Sequence, residues 1–191
     1  VVVEAIRSDP DLSSLLKEVE KDASLEDITR VHCDSYVKKI LALKEDLVWL
    51  DPDTYFVKGS WPAALRAAGL AIKATEYCLT TQKNSFAITR PPGHHARPSA
   101  AMGFCIFNNI AIAAAWAVET HVKKVFIVDW DLHHGNGTQE IFYHRGDVFY
   151  FSVHQFPYYP GTGLAEETGE GAGKGATLNV PLPAGCGDDE Y

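Results

Sequence analysis

The chain has few cysteines, no long apolar run and no excess of basic residues, and each shortage removes a class of function. Its four cysteines among 191 residues, Cys33, Cys78, Cys105 and Cys186, stand far apart without a Cys-x-x-Cys pair. That spacing argues against a disulfide scaffold or a cysteine-based zinc site and fits reduced thiols in a cytoplasmic or nuclear setting. No apolar stretch approaches the roughly 18 residues of a membrane-spanning helix, so no membrane partner is expected. Val1-Val2-Val3 runs directly into Glu4, which does not read as a secretory signal. With 17 basic against 25 acidic residues the formal charge is −8, and a broad nucleic-acid surface is not expected. Gly173-Lys174 is no phosphate loop either: Thr168 stands where the first glycine belongs, and Gly175 where Ser or Thr belongs.

What is present is a chain of single-domain length, long enough to bury a substantial core. Between residues 11 and 43 two or three short helices are expected. One is capped near Asp11 and carries Leu15, Leu16 and Val19. A second starts at Ser24 with Asp27 completing a capping box, and a third starts at Asp34 with Tyr36, Val37, Ile40 and Leu41 facing inward. His32 reads as a structural hydrogen-bonding residue. After a loop at 50–59, Ser60 caps an alanine-rich helix to about Leu79, whose small residues imply close packing against a sheet. Gly69 within it costs about 1 kcal/mol relative to Ala, so another element should approach there. Strands at 85–89, 125–128, 148–153 and 177–181 alternate with helices led by Asn108 and near 139–143. That order indicates βαβ units and a parallel sheet. Residues 157–175 read as a flexible surface loop, and 187–191 as the first turn of a further helix.

The polar residues gather where such a sheet binds ligands, at the carboxyl ends of strands: 90–95, 129–134 and 152–154. The apolar run 125–128 stops abruptly in Asp129, Asp131, His133 and His134. In an extended chain Asp129, Asp131 and His133 project to one side. Asp131 and His133 supply the oxygen and nitrogen donors that suit zinc, which lowers the pKa of water and polarises a carbonyl. His94 and His95 can act as general base and general acid, with Asp129 and Asn136 tuning them apart, since an Asp partner favours a charged imidazole more than an Asn does. The reaction class expected is metal-assisted hydrolysis of an amide. An arginase-like two-metal site would need further carboxylates, and Asn136 stands where one would help.

Arg90-Pro-Pro-Gly-His-His-Ala, Gly103-Phe-Cys with Asn108-Asn109, Asp129-Trp-Asp-Leu-His-His-Gly-Asn-Gly-Thr and Tyr159-Pro-Gly-Thr-Gly together resemble the zinc-dependent histone deacetylase superfamily. That family includes acetylpolyamine amidohydrolases and acetoin-utilisation proteins, and Asn136 with the glycine-rich 169–175 loop is more similar to its class II and bacterial members. The resemblance implies a three-layer αβα fold with a parallel sheet, incomplete in this chain. It implies zinc held by Asp131 and His133, catalysis by His94 and His95, and Asp129 and Asn136 hydrogen-bonded behind them. Gly103, Phe104 and Tyr159 would line a tube for an acyl-lysine or acetylpolyamine arm, with Asp53 at its rim. A structural potassium ion would use Asp129, Asp131, His133, Ser152 and the Val153 carbonyl, with a second near the Phe142 and Val148 backbone. The family's third zinc ligand, its transition-state tyrosine and its early Arg-Pro-Glu-Arg segment have no counterpart in the sequence. Residues 1–191 are therefore expected to be part of a deacetylase-type domain, cut at both ends. Two expectations follow: an enzyme completed by a further segment, a complementing chain or a homo-oligomer, or a catalytically inactive fragment that acts by binding a partner.

Overall fold

A computed structural model describes residues 1–43 and 47–191. The amino-terminal part begins with helix α1, Val2–Ser8, and a single 3-10 turn at Ser13–Leu15. The expected helix through Val19 does not form; Leu15 is 71 % and Val19 40 % exposed, so these side chains have no core to face. Helix α2, Leu25–Thr29, opens on the expected capping box, with Ser24 and Asp27 each accepting from the other's backbone N–H. Helix α3, Asp34–Leu41, buries Tyr36, Val37 and Ile40, whereas Leu41 points outward. The 47–59 region is more ordered than a plain loop: β1, Val48–Trp49, and β2, Tyr55–Phe56, form a small antiparallel hairpin.

Helix α4, Ser60–Thr81, packs along α5, Asn109–Thr120, rather than against a sheet. Its Gly69 does mark a close approach: a Cβ there would lie 2.6 Å from the Ala23 backbone nitrogen. Asn108 caps α5, its side chain accepting from Ala111 N at 3.1 Å. His32 ties the two halves of this layer together. Its Nδ1 donates to the Arg97 carbonyl at 3.0 Å and its Nε2 accepts from Asn108 N at 2.9 Å. Burial holds its pKa down to about 4, so it is a neutral, structural histidine, as expected.

Strands β3, Val125–Asp129, β4, Val148–Gln155, and β5, Thr177–Leu182, form a parallel sheet in that order. Helix α6, Asn136–Phe142, crosses between β3 and β4. Ile127 and Tyr150 face α5 and α6, where they pack with Ala111, Ala114 and Phe142. Phe126, Phe149 and Leu178, on the opposite face, are 62 %, 36 % and 44 % exposed. The α/β architecture is thus present but incomplete, with helices packed on one face of the sheet. Residues 85–89 form no strand: no described strand runs beside them to accept a ladder, and Phe86 is exposed. The 157–175 segment is stitched down rather than free, through bonds such as Glu170 N to Tyr143 O at 2.8 Å and Gly175 N to Thr168 O at 2.7 Å. No described helix is long and apolar enough to cross a membrane.

Candidate active site

The sheet register brings Asp129 beside Ser152 and Ser152 beside Asn179, a polar row at the carboxyl ends of three strands. Beyond Asp129 the chain leaves the strand, so the alternation expected for Asp129, Asp131 and His133 does not apply. Each carboxylate instead accepts the backbone N–H two residues on: Asp129 Oδ1 from Asp131 N at 3.2 Å, Asp131 Oδ1 from His133 N at 2.9 Å. These Asx-type turns curl the segment and still bring Asp131 and His133 together.

His94 and His95 enter from the loop before α5, their rings 4.0 Å apart. That loop is held by Asn109 Nδ2 on Pro91 O and by Asn108 Nδ2 on Ala96 O. The two imidazoles have unlike partners. His94 Nδ1 meets Asp129 Oδ2 at 3.0 Å, and His95 Nδ1 meets Asn136 Oδ1 at 2.8 Å. Asn136 is oriented by its amide nitrogen, which donates to Met102 Sδ at 3.4 Å. Burial disfavours the charged form of His94, but the Asp129 carboxylate outweighs it and raises the pKa above the ordinary imidazole value. Burial and the neighbouring His94 charge instead push His95 down to about 4. Asp129 itself stays below the usual carboxylate range, because its bonds to His94 and other donors overcome the cost of burial. The two rings of the pair are thereby driven in opposite directions, His94 toward the charged form and His95 toward the neutral one.

Two further residues shape this geometry, and of these Tyr150 carries no recognisable motif signal. Tyr150 reads as core on β4, yet its hydroxyl donates to Asp129 Oδ2 at 3.0 Å, the same oxygen that holds His94. Gly135 lies so close that a Cβ there would sit 2.5 Å from the Tyr150 hydroxyl. The signal for Tyr150 is position alone: it pairs with Ile127, two residues before Asp129 on the same face of the sheet.

Asp131 Oδ1 and His133 Nδ1 stand 3.2 Å apart. Two donors bonded to one tetrahedral ion at about 2.0–2.1 Å are separated by roughly that distance, so the pair fits a shared zinc. Among the described residues no group of three or more His, Cys, Asp or Glu gathers around such a point. Ser152 and Val153 lie next to Asp129 across the ladder, and Ser152 Oγ pairs with His154 Nδ1 at 2.9 Å.

Around the histidines runs an aromatic wall. The Tyr159 ring lies 5.1 Å from His95 and 5.8 Å from His133, edge-on to both, and Tyr158 stacks on His133 at 5.2 Å. Burial, with Asp53 and Asp51 nearby, keeps the Tyr159 phenol protonated, its pKa pushed up to about 12. Phe104 is 64 % exposed and adopts φ +66°. Its backbone N–H donates to Thr54 Oγ1 at 2.8 Å, and Thr54 Oγ1 donates to Asp53 Oδ1 at 3.1 Å. The buried Thr54, hidden in an unremarkable loop, thus joins Asp53 to Phe104. Gly103 packs directly on His95.

The histone deacetylase domain family model matches residues 1–191. The chain is 47 % identical over 170 residues to a probable deacetylase of Archaeoglobus fulgidus, covering 88 % of this chain and 47 % of that protein. Against a histone deacetylase-like amidohydrolase of Pseudomonas aeruginosa it is 46 % identical over 175 residues, covering 88 % of this chain and 46 % of that protein. Against histone deacetylase 14, chloroplastic, of Arabidopsis thaliana it is 42 % identical over 184 residues, covering 88 % of this chain and 43 % of the relative. The crystal structure of the HDA15 HD domain superposes with a TM-score of 0.86 at 39 % identity, covering 96 % of this chain and 56 % of that one. The chain spans about half the length of the curated relatives it matches.

Proposed function

The chain belongs to the histone deacetylase domain family, and from that premise we propose that it supplies the histidine pair and two metal ligands of a zinc-dependent deacetylase centre. Its substrates are the acyl-lysine of a protein or an acetylpolyamine. Asp131 and His133 hold the ion; zinc so held supplies Lewis acidity toward an amide carbonyl and acidifies water. His95, neutral and giving its Nδ1 proton to Asn136, leaves Nε2 free to take a proton as general base. His94, biased toward its charged form by Asp129, stabilises negative charge and offers a proton to the departing amine. Gly103, Phe104 and Tyr159 line the approach, and Asp53 at its mouth is placed to accept a hydrogen bond from the substrate. Asp129, Asp131, His133, Ser152 and the Val153 carbonyl are proposed to hold a structural potassium ion below the site. Residues 1–191 then form part of a catalytic domain rather than a complete one.

The observation that carries this reading is the unlike support of two adjacent histidines, a carboxylate behind one and an amide behind the other. Turnover of an acetyl-lysine peptide and of an acetylpolyamine by these residues within a completed domain, with and without zinc, tests it. The expected result is zinc-dependent release of acetate that falls roughly 100-fold to 10,000-fold in His95→Ala. Zinc-independent turnover, or turnover untouched by His95→Ala, overturns it. A second reading is a catalytically inactive chain that works by binding a partner through its exposed half-sheet. The uncovered apolar sheet face around Phe126, Phe149 and Leu178 favours it. Turnover by the chain alone removes that reading.

A further inference from the structure

Behind the histidine pair lies a second cluster of buried polar side chains that the proposed chemistry does not use: His134, His154, Gln139 and Asn179. His133 and His134 are neighbours that serve opposite sides of one loop. On the cleft side, His133 stacks on Tyr158. On the far side, His134 Nε2 meets Gln139 Oε1 at 3.0 Å and Nδ1 meets Thr162 Oγ1 at 2.8 Å. An amide oxygen only accepts, so the His134 proton sits on Nε2 and Nδ1 accepts from the Thr162 hydroxyl. His154 Nε2 donates to the Gly163 carbonyl at 3.0 Å, which leaves its Nδ1 to accept from Ser152.

The network behind these grips is continuous, with only the Asn179 Oδ1 acceptor left without a partner among its described atoms. Asn179 Nδ2 donates to Gln139 Oε1 at 2.7 Å, and Gln139 Nε2 donates to Glu167 Oε2 at 2.5 Å. The same Glu167 oxygen accepts from Gly163 N at 3.2 Å. Gly163 has φ +93°, and a Cβ there would lie 2.7 Å from both His134 Cγ and His154 Cε1. The backbone therefore presses directly onto the two rings. A pair of histidines that merely filled the core would grip nothing of the loop; these two hold consecutive residues of it.

We propose that His134 and His154 are positioning residues that clamp the Tyr158–Gly163 segment by Thr162 and Gly163, and so set how closely the Tyr159 wall stands over His95 and His133. This deepens the deacetylase reading and rests on it for the wall's role toward substrate. The clamp itself is a property of the fold and is testable without turnover. Amide hydrogen exchange is compared in the chain and its Thr162→Val and Thr162→Ser variants; Val keeps the shape and loses the hydroxyl, whereas Ser keeps it. Exchange across residues 158–164 is expected to rise about tenfold in Thr162→Val and to stay within about twofold of the parent in Thr162→Ser, with residues 125–129 and 148–153 unchanged. Equal exchange in Thr162→Val and parent, equal acceleration in both variants, or acceleration spread through the strands overturns the clamp. In protein that turns over acetyl-lysine peptide, Thr162→Val should raise KM more than it lowers kcat. Absence of zinc-dependent turnover in the completed domain sinks the deacetylase reading, while the exchange comparison alone decides the clamp.

Discussion

Asp131→Ala should weaken zinc binding by at least about 100-fold, the largest effect expected on metal affinity. Loss of a partner that only orients a ligand already costs roughly 10-fold to 100-fold in metal affinity, and Asp131 is assigned here as a ligand itself. Its Oδ1 also accepts from His133 N at 2.9 Å, so the substitution frees the backbone that carries the other proposed ligand. Both donors are therefore compromised at once. Competition against a chromophoric chelator measures the change, with Leu132→Ala as the control, since that neighbouring side chain is 47 % exposed and has no donor atom. Equal zinc affinity in Asp131→Ala and the control would place the ion elsewhere.

Gly103→Ala should damage both stability and catalysis. Gly103 has φ +56°, and an added Cβ would lie 2.8 Å from His95 Cγ and 3.0 Å from its Cβ. The left-handed backbone costs an L-residue about 1–2 kcal/mol, and crowding a packed site costs a further ~1–3 kcal/mol. A loss of about 2–4 kcal/mol in urea unfolding is expected from these two costs. Relief comes only by moving His95 away from Asn136, and turnover should then fall by about 100-fold or more. Gly59→Ala separates the two effects. Gly59 has φ +93° with nothing within 4 Å of the added Cβ, so it should cost about 1–2 kcal/mol of backbone strain and leave His95 in place. Equal losses in the two variants would mean that packing on His95 contributes nothing.

The parts of the site that were legible in the sequence are those whose chemistry is local. Adjacent histidines after a Pro-Pro-Gly turn, and an apolar strand ending in Asp-Trp-Asp-Leu-His-His, declare themselves by residue type. Asn136 and Asp129 as unlike partners follow from the same motifs. The Ser24–Asp27 capping box is equally local, because both partners lie within one helical turn. What was not legible depends on distant chain. Residues 85–89 have strand-forming side chains, but a strand exists only through a neighbour, and none is described beside them. Leu15, Val19 and Leu41 have helical spacing without a core to meet. Tyr150 and Thr54 look like ordinary strand and loop residues until folding brings Asp129 to one and Phe104 to the other. Asp131 and His133 come together through turns made by the Asp129 and Asp131 carboxylates rather than by strand alternation, and Asp129 does not join them in a three-residue group among the described residues.

The central claim, that one fold shifts the pKa values of adjacent histidines in opposite directions, is tested most directly by titrating their ring nitrogens by NMR in the metal-free chain. His94 should titrate above the free imidazole value and His95 at about 4. In Asp129→Asn, where burial acts on His94 without the opposing carboxylate, His94 should drop below the free value. Two histidines that titrate together near 6.5, or a His94 indifferent to Asp129→Asn, would contradict the claim.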